Sequence, residues 1–222
     1  MAHRLRSRLT TVVIAVVLAC GAGIAQEIPA PDRGSNALVE MLSRLRTTAR
    51  LLHTTAHPDD DDCSMLAYES RGQGAGTMML TLNRGEGGQN KFGAALSDEL
   101  GILRTLELLE ADRFYGVEQR FTRVVDFGYS KTADETFQKW RGHDAALADM
   151  VRVIRTFRPD VIVSRFDGSG RDGHGNHQAS GILSREAFRA AADSKRFPEQ
   201  IREGLFPWQP ELLRLDVQQR GQ

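Results

Sequence analysis

The chain has 222 residues, of which 41% are hydrophobic and 26% are charged, and its 29 basic residues balance 29 acidic ones. This length suits one good-sized domain, and the composition excludes disordered, collagen-like and coiled-coil chains. A formal net charge of zero gives no reason to expect nucleic acid as a partner, because phosphate binding needs surplus lysine and arginine.

The first 25 residues are typical of a secretory signal peptide. A stretch with three arginines precedes an apolar run over residues 9–19, and small residues then lead to Ala25. This run is shorter than the roughly 20 apolar residues that span a bilayer. We therefore predict cleavage after Ala25 and a secreted or periplasmic protein without a stable membrane span. An uncleaved N-terminal anchor and a lipoprotein acylated at Cys20 are the alternatives.

Cleavage at that point would leave a chain with one cysteine. The segment contains three arginines, no acidic residue and Cys20, so its removal leaves a net charge of −3 and Cys63 without a disulfide partner. Residues 26–47 are predicted to form a linker and an N-terminal helix. Residues 48–222 are predicted to form one domain, whose core must supply its stability.

Beyond the linker, short β-prone runs alternate with amphipathic helices. Strands are predicted at residues 51–55, 77–82, 120–127, 161–163 and 212–217, and helices at 36–46, 65–72, 97–111, 145–157 and 177–192. Five leucines predict a broad apolar face on the helix over 97–111. This alternation favours an α/β fold with a largely parallel sheet between two layers of helices. Ligands bind beyond the carboxyl ends of the strands in such sheets, where three polar clusters occur.

The first polar cluster follows the first strand. Residues 56–62 read Ala-His-Pro-Asp-Asp-Asp-Asp. Adjacent carboxylates repel one another, and a bound cation is one way to stabilise them, although an acidic helix start is an alternative. Pro58 fixes its own φ angle and biases His57 toward an extended backbone, so the segment is predicted to be a rigid turn.

The second cluster, residues 174–177, reads His-Gly-Asn-His and follows the strand at 161–163. Two histidines three residues apart share a face if the segment begins a helix. Their position places them at the same sheet edge as His57. Two histidines and one carboxylate around an open position form a catalytic zinc arrangement, which predicts a metal-dependent catalytic site.

The third cluster, residues 83–90, is rich in glycine. Its spacing matches neither the dinucleotide fingerprint nor a Walker loop. We predict a flexible loop that faces the substrate, with Arg84 and Glu86 as polar contacts. Arg104 and Glu107, three residues apart on the leucine-rich helix, are interpreted as structural residues that brace the site.

With these motifs in this order, the chain resembles the LmbE/PIG-L family. The resemblance rests on residues 56–60, 83–87, 100–107 and 174–177, and it extends from about residue 51 to residue 188. Members of the family include zinc-dependent deacetylases of N-acetylglucosaminyl conjugates. The resemblance therefore implies a Rossmann-like α/β/α fold and a zinc-dependent N-deacetylase.

The resemblance also implies roles for individual side chains. His57, Asp60 and His177 are the implied zinc ligands, Asp59 is the implied general base, and His174 stabilises the tetrahedral intermediate or protonates the leaving amine. Arg84, Glu86 and Asp126 are the expected substrate contacts. Asp126 equally suits a turn.

Three positions depart from the family pattern. Asp61 stands where the family has Glu, and Gly175 and Asn176 stand where it has Pro and Asp. Because Asn176 supplies no charge, we hypothesise that His174 has a lower pKa than in the family pattern, which would shift activity toward acid.

The predicted function is a zinc-dependent hydrolase that removes the acetyl group from an N-acetylglucosamine-type sugar or glycoconjugate. An amidase on a thiol–sugar conjugate is one alternative. A non-catalytic carbohydrate-binding protein with a structural metal is another, and it predicts bound metal without acetate release. The sequence specifies neither the acceptor molecule nor the oligomeric state, and its glutamine-rich end leaves a longer parent protein open.

Overall fold

Five strands form one sheet in which every neighbouring pair runs parallel. The strands are β1 (Arg50–Thr55), β2 (Gly76–Thr81), β3 (Glu118–Phe121), β4 (Val161–Ser164) and β5 (Leu212–Leu215), in the order β3-β2-β1-β4-β5. The computed structural model describes residues 33–91 and 93–215. The predicted signal peptide lies outside these residues. The parallel sheet confirms the predicted α/β class.

Seven α-helices occur among the described residues. They are α1 (Gly34–Arg44), α2 (Cys63–Ala67), α3 (Asp98–Tyr115), α4 (Ala133–Lys139), α5 (Asp144–Phe157), α6 (Gly175–Ala190) and α7 (Pro198–Arg202). A π-helical turn, Tyr68–Gly72, continues α2, and a 3-10 turn, Gly170–Asp172, precedes α6. The helices α4 and α7 were not predicted, because they are too short to show a helical period.

The core packs helices onto both faces of the sheet. In β2, Met78 and Leu80 contact the larger cluster, which also contains Met150 of α5 and Leu183 of α6. Met79, between them, points to the opposite face, into a smaller cluster with residues of α2 and α3. Since successive strand residues alternate between faces, these two clusters establish the three-layer arrangement.

Two predictions about individual elements are corrected. The third strand is Glu118–Phe121 rather than 120–127, because its partner β2 ends at Thr81, which pairs with Phe121, and no ladder continues beyond this pair. The predicted broad apolar face of α3 is only partly buried. Leu100 and Leu108 lie in the interior, whereas Leu106 is 60% exposed.

The register of the central strands places the three polar clusters together. Thr55 at the end of β1 pairs with Thr81 at the end of β2, and Thr54 pairs with Ser164 at the end of β4. The segments that follow these strands therefore leave the sheet at one edge. The predicted convergence of the clusters at the carboxyl ends of the strands is observed.

Candidate active site

Three side chains of metal-binding type converge beyond the ends of β1 and β4. Nδ1 of His57 is 3.1 Å from Oδ2 of Asp60 and 3.2 Å from Nε2 of His177. Nε2 of His177 is 3.4 Å from Oδ1 of Asp60. Within residues 33–91 and 93–215, this is the group of histidine, cysteine and carboxylate side chains whose ligand atoms could share a metal ion.

Local backbone structure fixes the first two of these side chains. The carboxylate of Asp60 accepts a hydrogen bond of 2.7 Å from the backbone N–H of His57, and Asp60 N donates to His57 O. This turn follows β1 directly and contains Pro58. The acidic run therefore begins as a tight turn that folds Asp60 back onto His57.

His177 is held from behind by two contacts. Its Nδ1 lies 3.2 Å from the carbonyl oxygen of Asp172, and its ring stacks on Phe166 with centroids 4.1 Å apart. A proton on Nδ1 donated to that carbonyl leaves Nε2 free to act as a ligand, which is the usual outer support of a metal-binding histidine.

The charge state of Asp60 suits a metal ligand. Burial by itself would raise the pKa of Asp60, but hydrogen bonds from His177 and His57 outweigh it and hold this pKa below its ordinary value. For His177 the signs are reversed: burial by itself would lower its pKa, but the contact with Asp60 outweighs burial and raises this pKa above its ordinary value. Asp60 is therefore ionised at neutral pH, as metal coordination requires.

His174 caps the first turn of α6 with its side chain. Its Nδ1 accepts a hydrogen bond of 3.0 Å from the backbone N–H of Asn176. Burial, and then the neighbouring His57 and His177, lower the pKa of His174 to about 4. At neutral pH the ring is uncharged and its proton sits on Nε2. That the pKa of His174 is lower than it would be with the family's aspartate at position 176 stays a prediction.

The predicted general base, Asp59, lies at the rim of the site. Its carboxylate forms an ion pair with Arg104 of α3, and its side chain is 75% exposed. Arg104 also donates to the carbonyl oxygen of Gly85 at 3.4 Å. The interpretation of Arg104 as a residue that braces the site agrees with these contacts.

These residues surround a cavity of about 640 Å³. Its wall includes residues 87–90 of the loop that was predicted to face the substrate, whereas Lys91, Leu103, Gly128 and Tyr129 were not predicted to line the site. Tyr129 is 64% exposed and meets the ring of His174 edge-on with centroids 5.2 Å apart. Its place after β3, at the carboxyl edge of the sheet, is the signal that could have identified it.

The predicted substrate contacts occupy different places. Asp126 lines the cavity, and its Oδ2 lies 4.0 Å from Nε2 of His57. Arg84 and Glu86 are not among the residues that line it. The Arg84 guanidinium lies over the ring of Phe121, and the Glu86 carboxylate accepts hydrogen bonds from the backbone N–H groups of Arg84 and Asp126. This placement favours a structural role for Arg84 and Glu86, and their contact with a substrate stays a prediction.

The structure explains why glycine occupies position 175. The N–H of Gly175 donates to the carbonyl oxygen of Ser130 at 2.9 Å, a bond that proline could not form. A Cβ atom at this position would lie 2.3 Å from Oγ of Ser130 and 2.4 Å from the carbonyl oxygen of Thr132. The close approach of these residues therefore requires glycine at the start of α6.

The comparison with protein families gives one match over most of this domain. Residues 52–188 match the family described as PIG-L: GlcNAc-PI de-N-acetylase. The mycothiol S-conjugate amidase of Streptomyces coelicolor is 30% identical over 164 residues, which cover 68% of this chain and 55% of that protein. A 1D-myo-inositol 2-acetamido-2-deoxy-alpha-D-glucopyranoside deacetylase of Catenulispora acidiphila is 33% identical over 168 residues, which cover 68% and 51%. The chain spans about half the length of these curated relatives.

A solved structure shares the fold. The N,N'-diacetylchitobiose deacetylase from Pyrococcus horikoshii superposes with a TM-score of 0.56 at 16% identity, covering 79% of this chain and 66% of that one. At this level of identity, the match supports the fold.

The predicted secreted or periplasmic localisation is wrong by the comparison with the curated relatives. The relatives are named for a mycothiol S-conjugate and for an inositol-linked acetamido sugar. In the part of the chain that the structure describes, no helix is both long enough and apolar enough to cross a membrane.

Proposed function

The chain belongs to the PIG-L family, and from this membership we propose that it is a zinc-dependent hydrolase that removes the acetyl group from an N-acetylglucosamine-type sugar or sugar conjugate. The convergence of His57, Asp60 and His177 in one cavity carries the proposal. The named relatives, a deacetylase and an amidase, both cleave amide bonds, and this chain covers about half of each.

The donor set fits zinc. Two nitrogen ligands and one carboxylate are the ligands of many catalytic zinc sites, which keep a further position open. Zinc–ligand bonds of about 2.0–2.1 Å in a tetrahedron place ligand atoms about 3.3 Å apart. The two histidine nitrogens in this site are 3.2 Å apart, and each lies close to a different carboxylate oxygen of Asp60, Nδ1 of His57 3.1 Å from Oδ2 and Nε2 of His177 3.4 Å from Oδ1. When bound, zinc would polarise the acetyl carbonyl and lower the pKa of water in the site to about 7.

Asp59 is proposed to accept the proton of the attacking water. It precedes the ligand Asp60, lines the cavity, and keeps most of its carboxylate open to solvent. A well-placed general base contributes about 10²–10⁴-fold to the rate of such a reaction.

His174 is proposed to donate a hydrogen bond to the oxygen on which negative charge develops. Because its Nδ1 accepts from the backbone of Asn176, its proton lies on Nε2. A neutral imidazole that is already oriented by the start of α6 stabilises such charge without reorganising. Because the neutral ring has no proton to release without becoming an imidazolate, the leaving amine is proposed to take up the proton that Asp59 accepted from water.

The cavity supports a substrate of small-molecule size. Its volume of about 640 Å³ lies within the range of small-molecule sites. Tyr129 offers an aromatic surface, and Asp126 and Glu107 offer acceptors for hydroxyl groups. We propose that a sugar ring binds against these residues with its acetamido group directed toward His57 and His174.

An amidase that acts on a thiol–sugar conjugate is the second candidate, because the mycothiol S-conjugate amidase matches over the same share of the chain. Both candidates use the same cleavage chemistry and differ in the acyl group that is transferred from the amine to water. The test is release of primary amine from three substrates: an N-acetylglucosaminyl inositol, diacetylchitobiose and a cysteinyl-glucosamine conjugate. Cleavage of acetyl substrates alone supports the deacetylase, and cleavage of the conjugate supports the amidase. Ligand binding without cleavage of any substrate contradicts both.

A further inference from the structure

We propose that Arg104 is a positioning residue that holds Asp59 toward the cavity, and that the glycine-rich loop at residues 85–88 makes room for the Arg104 guanidinium. This inference rests on the proposed function, in which Asp59 is the general base. The loop and Arg104 of α3 would then act together to orient Asp59.

The first observation is the ion pair itself. Nη2 of Arg104 donates to Oδ1 of Asp59, and both residues line the cavity that contains the metal-binding group. The Arg104 side chain is 18% exposed, whereas that of Asp59 is 75% exposed. A largely buried cation therefore selects the direction of an exposed carboxylate that would otherwise sample several rotamers.

The second observation is electrostatic. Asp59 begins a run of four aspartates, and the ionised Asp60 lies next to it in the chain. Negative charges on adjacent residues repel each other, so an unpaired Asp59 carboxylate would turn away from the cavity toward solvent. The charge of Arg104 offsets this repulsion on the side where the proposed reaction takes place.

The third observation is the shape of the loop around Arg104. Gly85 has a φ angle of +72°, and a Cβ atom there would lie 2.1 Å from Nη1 and 2.6 Å from Cζ of Arg104. A Cβ atom on Gly88 would lie 3.0 Å from the same Nη1. The backbone of the loop contributes an acceptor, because Gly85 O receives the hydrogen bond from Nη1. A side chain at Gly85 would displace the guanidinium and one at Gly88 would crowd it, so these glycines leave the space that Arg104 occupies, and the positive φ angle of Gly85 also favours glycine there.

The experiment compares Arg104→Met, Arg104→Lys and Gly85→Ala with the wild type in the amine-release assay. We expect kcat to fall about 10- to 100-fold in Arg104→Met with KM changed less than threefold, because a misplaced base slows the chemical step more than it weakens binding. Lysine can reach Asp59 with one ammonium, so Arg104→Lys should recover much of the loss. Gly85→Ala should behave like a milder Arg104→Met.

Two further measurements separate positioning from folding. Zinc content should match that of the wild type in all three variants, and Tm should match in the two Arg104 variants, whereas Gly85→Ala should lower Tm because alanine is strained at a φ angle of +72°. Carbodiimide labelling of Asp59, read by mass spectrometry, should become faster in Arg104→Met. Arg113→Met is the matched control, since Arg113 lies on the same helix and pairs with Glu110 on the surface. It should change neither kcat nor the labelling.

The outcomes distinguish the two proposals. An active wild type with unchanged kcat in Arg104→Met, or a loss that lysine does not recover, overturns the role of Arg104 and leaves the proposed function intact. A wild type that releases no amine from any of the substrates overturns the proposed function and, with it, this role.

Discussion

Nδ2 of Asn176 lies 3.3 Å from Nε2 of His57, while the other ring nitrogen of His57 faces Asp60 and His177. A histidine that offers Nδ1 to a metal keeps its proton on Nε2 and needs an acceptor there. Oδ1 of Asn176 is buried and has no hydrogen-bond partner among the described residues. Nδ2 of Asn176 also donates to Oδ1 of Asp126 at 3.3 Å. A rotated carboxamide would exchange this bond for one in which Oδ1 of Asn176 accepts from Nε2 of His57, so Asn176 can set the protonation pattern that His57 needs as a ligand.

Asn176→Leu tests this relationship. Leucine has a similar volume but neither a donor nor an acceptor, so Nε2 of His57 would lose its partner. We expect zinc affinity, measured by competition with a chromophoric chelator, to fall about 10- to 100-fold. Ser180→Ala, one turn further along α6, removes another buried polar atom without a partner and should leave the affinity unchanged. Equal affinity in wild type and Asn176→Leu would contradict the role of Asn176.

The protonation state of His174 is a second prediction. Since its pKa is lowered to about 4, chiefly by burial, the neutral form should predominate at every pH above about 5. Nitrogen-15 NMR of the metal-free protein should show one neutral tautomer, protonated on Nε2, between pH 5 and pH 8. The signal is assigned by its loss in His174→Gln. Titration of this ring near pH 6.5 would show that burial does not control its charge.

Gly175→Ala should damage the site without unfolding the domain. The added methyl group would meet Oγ of Ser130 and the backbone of Thr132, so the start of α6 must move, and His174 and His177 move with it. We expect at least a tenfold loss of amine release and weaker zinc binding. Gly170→Ala is the matched control, because a Cβ atom there meets nothing within 4 Å. Normal activity in Gly175→Ala would contradict this prediction, because it would mean that Ser130 and Thr132 move aside while α6 stays in place.

Asp112 of α3 makes stability depend on pH. Its carboxylate is buried, neither oxygen has a hydrogen-bond partner in the described part of the chain, and burial followed by the charge of Asp61 raises its pKa to about 7. The folded state binds the proton of Asp112 more tightly than the unfolded state. The protonated carboxyl group therefore makes its full contribution to stability below about pH 4. That stability is lost as the pH rises through 7.

Replacing Asp112 should remove this dependence. We expect Asp112→Asn to raise the free energy of unfolding at pH 8.5 by about 2 kcal/mol, with little change at pH 4.5, as measured by urea denaturation. Glu110→Gln alters an exposed ion pair on the same helix and should change stability by less than about 1 kcal/mol at either pH. A stability gain in Asp112→Asn that is the same at both pH values would contradict the assignment.

The sequence supports the central architecture because its signals there are local. The apolar runs that became β1, β2 and β4 end in polar clusters, and parallel strands bring such ends to one edge. The length of β3 was not predictable, since it is set by where its partner β2 ends. The short helices α4 and α7 carry too few turns for a periodic signal.

The site was predictable in its motifs and less so in its surroundings. His57, Asp60 and His177 lie where their motifs place them, but the directions of the loop side chains depend on tertiary contacts. Arg84 and Arg104 carry the same charge near the same loop, and the sequence does not show which of them turns toward the cavity. The answer depends on Phe121, which lies under Arg84, and on the space that the glycines leave for Arg104.

The central claim is that His57, Asp60 and His177 hold one zinc ion that this chain uses to hydrolyse an acetamido sugar. The most direct test is zinc content by mass spectrometry together with amine release, for the wild type, Asp60→Asn and the control His143→Gln, whose histidine does not line the cavity. We predict about one zinc per chain and amine release in the wild type and the control, and loss of both in Asp60→Asn with the fold retained. Zinc at full occupancy in Asp60→Asn, or amine release that survives complete removal of the metal, would contradict the account.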